Sequence, residues 1–175
     1  NAMILLREEL IAYMAAQGDP VNVLIENIGL FETQNSQILT DNIVMSVVNI
    51  QEENTLKNGR TFTKWPDGLA RYENRPVYRN LYVLSTANFP GGVPPNNNYI
   101  QALQRLARVI EFFQGKKIFT PATSPVTLPP ELSDLTNPAI ANLKLTTEIY
   151  TLTFEQINHL WGSLGGRQIP FVMYK

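Results

Sequence analysis

The side chains best suited to chemistry stand apart from one another in this sequence. It holds one histidine, His159, and no cysteine, which removes thiolate nucleophiles, disulfides and cysteine-ligated zinc or iron–sulfur clusters together. His159 follows Ile157 by two residues, so on a helix it points away from the Ile157, Leu160, Trp161, Leu164 stripe and reads as a surface histidine. A serine hydrolase would carry its nucleophile in a Gly-x-Ser-x-Gly turn, and Gly162-Ser163-Leu164-Gly165 lacks that spacing. Glu52 and Glu53 are neighbours, and neighbours on an extended chain point to opposite faces, which suits a solvated strand end better than a shared metal. Gly115-Lys116-Lys117 lacks both the earlier glycine and the following Ser or Thr of a phosphate loop. The residues thus predict no catalytic group, cofactor or metal. A hydrolase survives as an alternative only if His159 or Glu52 lines a pocket.

Recognition is left. Lys57, Arg60, Lys64, Arg71, Arg75 and Arg79 interleave with Phe62, Trp65, Tyr72 and Tyr78. That composition suits a nucleic-acid surface over residues 57–79, or a protein contact anchored by charge and aromatic rings. The net charge of −1 argues against a dedicated DNA binder. It hides an uneven division: residues 1–56 carry eight acids and one base, net −7, whereas residues 57–117 carry ten bases and three acids, net +7. Such blocks complement each other either within one monomer or between copies arranged head to tail. The expected docking residues are Lys57, Arg60, Lys64, Trp65 and Arg71, with Glu52 and Glu53 as charge partners from a neighbouring copy.

The elements that must position these residues read as follows. At 175 residues and 44% hydrophobic, the chain has the length and apolar content of one domain with a single core. Residues 3–175 are read as that domain, and Asn1-Ala2 ahead of Met3 as an expression-tag remnant. No signal peptide is read after Met3, and no apolar run approaches the roughly 18 residues that cross a bilayer. Leu6, Leu10 and Met14 recur at helical spacing and predict a helix over 3–16. Short Val/Ile-rich runs predict strands over 21–28 and 43–50, and the apolar residues of 77–85 predict a central strand. Asn58-Gly59 suggests a hairpin with 61–63 returning. A helix capped by Asn98 is expected to present Ile100, Leu103, Leu106, Ala107, Ile110 and Phe113 along one face until Gly115. A short strand follows over 117–120. The five prolines between 120 and 138 predict extended or polyproline segments. Alternation over 143–149 predicts a strand. Thr153 and Gln156 have capping-box spacing for a helix over 154–164, Gly165-Gly166 ends it, and a last strand covers 169–174, its edge open to a partner strand. The sum is an α+β domain: a mixed, largely antiparallel sheet with about three packed helices and long loops.

Four stretches carry a family resemblance. They are Val48-Asn49-Ile50-Gln51-Glu52-Glu53-Asn54, Asn80-Leu81-Tyr82-Val83-Leu84, Val109-Ile110-Glu111-Phe112-Phe113-Gln114, and the run from Phe154 to Gly166 with its Leu160-Trp161-Gly162 and Leu164-Gly165-Gly166 core. Together they resemble the N-terminal domain of the cap, or tail-terminator, proteins of extracellular contractile injection systems of the antifeeding-prophage and virulence-cassette type. The resemblance spans essentially the whole chain. It implies a tail-terminator-like fold and a bacterial, non-enzymatic structural protein assembled in the cytoplasm. It also implies a ring of copies, a hexamer, that ends polymerisation of a tube and sheath, with no membrane and no small-molecule substrate. Trp161, Gly162, Gly165 and Gly166 are then expected to serve structure rather than binding.

Overall fold

The computed structural model describes residues 1–32, 39–55, 62–64, 69–72, 77–89, 97–165 and 168–175. A four-stranded sheet in the order β1-β2-β5-β8 forms its centre, built from β1 (Val23–Ile25), β2 (Ile43–Glu52), β5 (Arg79–Ala87) and β8 (Phe171–Tyr174). β1 runs parallel to β2, and the other pairings are antiparallel. Residue alternation sends the strands to two separate cores. Ile43, Met45, Val83 and Tyr174 meet Leu5, Leu10 and Met14 of α1 (Ala2–Ala16) and Val109, Phe112 and Phe113 of α2 (Asn98–Gly115). Val44, Leu84 and Met173 meet Ile28, Leu39 and Trp161, the last on a helix over Phe154–Ser163. Each fully buried Leu or Val contributes about 1.5–3 kcal/mol, so a β5 apolar on both faces belongs in the middle of the sheet, where it stands.

Among the described residues five helices are present, three of them longer than one turn. The other two correct the expectation for the proline-rich stretch. Pro130 opens α3 (Pro130–Ser133) and Pro138 opens α4 (Pro138–Ala141), while Pro121 begins a 3-10 turn over Pro121–Thr123. Proline's fixed φ and missing N–H suit a first helical position, so these residues start turns instead of extending the chain. The helix over Phe154–Ser163, α5, has its expected capping box: Gln156 N–H donates to Thr153 Oγ1 at 3.3 Å, and Thr153 N–H donates to Gln156 Oε1 at 2.9 Å. Gly165 follows at φ +111.

Elsewhere the elements shift. α1 begins at Ala2. β1 keeps only three residues, because Ser46 Oγ donates to the Glu26 carbonyl and accepts from Ile28 N–H, which turns the chain into a 3-10 turn over Ile28–Glu32. Phe62–Lys64 (β3) pairs with Ala70–Tyr72 (β4), so the hairpin closes on the side of 65–69; Asn58 and Gly59 lie outside the described residues. The strand expected over 143–149 splits: Leu145–Thr146 (β7) pairs with Ile118–Phe119 (β6), and Ile149 bridges Tyr174. That bridge covers the outer edge of β8, where Glu148 and Lys175 exchange main-chain hydrogen bonds of 2.9 and 2.8 Å and Tyr150 N–H reaches the Met173 carbonyl at 2.8 Å. The edge of β8 that was expected to be open is therefore taken along 148–150.

α2 is rotated from expectation. Its N-cap is Asn97, without a capping side-chain bond, and it buries Ala102, Arg105, Leu106, Val109, Phe112 and Phe113 while Ile100 and Leu103 are exposed. Two apolar stripes run along this helix, and the sheet takes the one with adjacent phenylalanines, which bury more area.

Candidate protein-docking surface

β2 and β5 continue together beyond the end of β8. The last β8 pairing is Val83↔Tyr174, whereas β2 and β5 stay in register to Glu52↔Arg79, with a bulge between Val47 and Asn49. A bulge adds a residue to one strand and sharpens its local twist. At its end Glu52 is exposed opposite Arg79. Glu53 differs from the solvated partner expected of it. Its carboxylate accepts Asn80 Nδ2 at 2.8 Å and Thr55 N–H at 2.9 Å, and lies 3.7 Å from Lys175 Nζ. The Asn80 amide first, and the Thr55 donor next, hold its carboxyl at about 2.

Beyond the ribbon, Lys64 stands opposite Ala70 and Arg71 opposite Thr63 in the β3–β4 hairpin, and Lys57, Arg60 and Trp65 lie outside the described residues. Phe62 and Tyr72 face each other across the hairpin with ring centroids 6.2 Å apart, and Tyr72 is 79% exposed. Ile50, Leu69, Val77 and Tyr78 are exposed as well. Of these, Tyr78 belongs to the basic–aromatic set that composition singles out, and Ile50, Leu69 and Val77 add aliphatic surface to it. Exposed apolar side chains of this kind are the material of protein contacts, with charge at the rim. A second exposed apolar group lies at Tyr99, Ile100 and Leu103, the stripe of α2 that the sheet leaves out.

The two charge blocks meet inside the monomer. Arg105 pairs with Asp19 and Asp41, Arg108 with Asp19, and Lys116 with Glu9, each joining the acidic first segment to the basic second one. Of the two arrangements open to those blocks, these contacts realise the internal one. His159 is 80% exposed at its side chain, 3.7 Å from Glu155. Among the described residues no group of three or more His, Cys, Asp or Glu side chains is placed to hold a metal, and no helix is long and apolar enough to cross a membrane. Trp161 is 4% exposed and meets Phe171 edge-on at 5.5 Å. Gly162 is exposed on α5, and Gly166 lies outside the described residues. The arrangement offers contact surface, and His159 and Glu52, the two residues a hydrolase would need in a pocket, are both exposed.

No curated protein matches the sequence. Among solved structures the fold is similar to a PVC sheath/tube terminator of an extracellular contractile injection system in its extended state, seen by cryo-EM. That likeness has 14% identity and a TM-score of 0.54, over 98% of this chain and 53% of the other. It is similar also to the tube-terminating cap of the anti-feeding prophage, with 20% identity and a TM-score of 0.50, over 97% of this chain and 50% of the other. The chain spans about half the length of both proteins, and at these identities the likeness is one of fold. The family is settled by the sequence itself, since the family model described as the Pvc16 N-terminal domain matches residues 4–175. The chain belongs to the Pvc16 N-terminal domain family.

Proposed function

We propose that the chain is a structural assembly protein, the terminator domain of a contractile, phage-tail-like injection particle, which ends tube and sheath polymerisation through protein contacts and without enzymatic turnover. The observation that carries this is the family match over residues 4–175. The fold shared with two terminators supports it. The loop from Gln51 to Arg75 and the exposed apolar residues around it are the proposed docking surface, with Lys57, Arg60, Lys64, Trp65 and Arg71 as its contacts and Glu52 facing a neighbouring copy. Copies are proposed to form a ring, a hexamer, in the bacterial cytoplasm. This rests on the resemblance, because Glu9, Asp19 and Asp41 spend their charge inside the monomer.

The test is copolymerisation with the tube protein of the same particle, read as tube length by electron microscopy. Wild-type chain is expected to bound the length and to sit as a ring at the tube end. The combined Lys57→Glu, Arg60→Glu, Lys64→Glu variant is expected to keep its unfolding midpoint and to let tubes grow on. Unbounded tubes with wild-type chain would overturn the terminator reading, and a variant that still caps would take docking away from this loop. Binding to nucleic acid with steep salt dependence would favour the basic–aromatic surface of 57–79 as a nucleic-acid site instead.

A further inference from the structure

α1 and α2 meet through Tyr13 and Phe112, whose ring centroids are 5.3 Å apart, and a cleft of about 500 Å³ opens beside that contact. Glu9 and Tyr13 of α1, Glu111 and Lys116 at the end of α2, and Pro125 and Val126 beyond it stand in its lining. Both bordering stretches, 1–32 and 97–165, are described without a break, so the walls are continuous chain. Glu9 sets the chemistry. Its side chain is 1% exposed, Oε2 accepts from Lys116 Nζ, and Oε1 has no hydrogen-bond partner among the described residues. A buried carboxylate oxygen without a donor is costly, so a donor that arrives there is favoured. Lys116 is drawn also to the Phe119 ring, 5.0 Å from its centroid. Glu111 is exposed and meets the Tyr13 hydroxyl at 3.5 Å. The lining thus holds two acids against one base, which leaves one negative charge.

We infer that this cleft binds an alkylguanidinium group, carried by a free small molecule or by an arginine side chain of a partner protein. The unbalanced charge calls for a monocation. A calcium ion takes six to eight oxygen ligands, which two carboxylates beside an ammonium do not supply. The Tyr13 and Phe112 rings suit an organic cation, since a planar guanidinium stacks on aromatic faces and also donates to a carboxylate in a fork. Pro125 and Val126 cover its alkyl stem. Lys116 is the movable part: its side chain is 30% exposed, and as it turns outward the guanidinium takes its place on Glu9, donating to Oε1 as well as Oε2. Two bases then balance two acids. The inference goes beyond the terminator reading and does not depend on it.

The probes are butylguanidinium and the peptide acetyl-Gly-Arg-Gly-amide, each titrated into the whole chain, with butylurea and the matching citrulline peptide as neutral isosteres. Saturable NMR shifts of the Glu9 side-chain carboxyl and the Tyr13 ring are expected at millimolar ligand, and the isosteres are expected to bind about tenfold more weakly. Glu111→Gln, on an exposed residue, is expected to weaken binding about fivefold without moving the unfolding midpoint. Gly115 lines the cleft, and a Cβ added there meets nothing within 4 Å, so Gly115→Leu is expected to fill the space and abolish binding. No saturable shift with either probe, equal binding of the isosteres, or undiminished binding by both variants would overturn the inference. So would calcium chloride shifting the Glu9 carboxyl where the probes fail, which would make the cleft a metal site. Tighter binding of the peptide than of butylguanidinium would identify a partner's arginine as the source, and the reverse a free small molecule; either result supports a guanidinium site.

Discussion

Arg105 Nη1 stands 2.6 Å from Asp41 Oδ1 and 3.1 Å from the Asp41 carbonyl, while its Nε lies 3.4 Å from Asp19 Oδ2. One guanidinium of α2 thereby gathers the turn after α1 and the turn that opens β2. Asp41 sits at φ 58, a strained backbone for a residue with a β-carbon, and Arg105 holds it there. Removing the guanidinium takes two charge-assisted contacts and a buried aliphatic stem. Arg105→Ala is expected to lower stability by about 3 kcal/mol in urea unfolding. Arg105→Lys is expected to recover less than half of that, since an ammonium cannot bridge both acids in the plane of a fork.

Glu9 is the reciprocal case. Its side chain is 1% exposed on the inner face of α1, one oxygen accepts Lys116 Nζ, and the other has no partner. Lys116 also lies 5.0 Å from the Phe119 ring centroid. Lys116→Met should leave a buried carboxylate uncompensated and cost about 3 kcal/mol, whereas adding Glu9→Leu should restore most of that stability. A double-mutant cycle in urea measures this, and a Lys116→Met variant as stable as wild type would show the pair to be slack.

The motif at the end of α5 separates into parts with opposite expected signs. Trp161→Ala empties the second core and is expected to cost about 3–5 kcal/mol. Gly165→Ala is expected to cost about 1 kcal/mol, for conformation alone, because an added Cβ there meets nothing within 4 Å while φ is +111. Gly162→Ala, in the helix with equally open space, is expected to stabilise by about 0.5–1 kcal/mol. Thermal unfolding of the three variants decides this, and a Trp161→Ala midpoint equal to wild type would place the indole outside the core.

Glu53 gives a pH signature. Its carboxyl falls from an ordinary 4.5 to about 2, chiefly through Asn80. The folded-state value lies below the unfolded one, so its contribution to stability is complete above about 4.5 and is lost as pH falls from there through about 2. Asn80→Ala should move the carboxyl resonance midpoint up toward 4.5 and remove part of the acid sensitivity in that window. Unchanged carboxyl titration by NMR would assign the depression to Thr55 and Lys175 instead.

The features already written into the residues are local or doubled. The capping box of α5 needs only Thr153 and Gln156, three residues apart, and both bonds formed. The central place of β5 was legible because its apolar residues fill both alternations and so demand a core on each side. The last strand and the turn at Gly165 were legible for similar reasons: the relevant energy lies within a few residues. Wherever two local solutions were nearly equal, a distant partner chose between them. Spacing in α2 pointed to a face through Ile100, Leu103, Leu106 and Phe113, whereas the sheet, together with Asp19 and Asp41 drawing in Arg105, kept Leu106 and Phe113 and buried Ala102, Val109 and Phe112 beside them. The prolines of 120–138 suit an extended chain and a first helical turn alike, and packing of Leu132 and Ile140 favoured the turns. The charge blocks suited internal or intermolecular pairing, and only the approach of α2 and Lys116 to the N-terminal third brought Arg105, Arg108 and Lys116 within reach of Asp41, Asp19 and Glu9. The docking edge followed the same rule. β8 has an open side in sequence, but the return of 148–150 covers it, because strand neighbours are set by contacts between residues far apart in the chain.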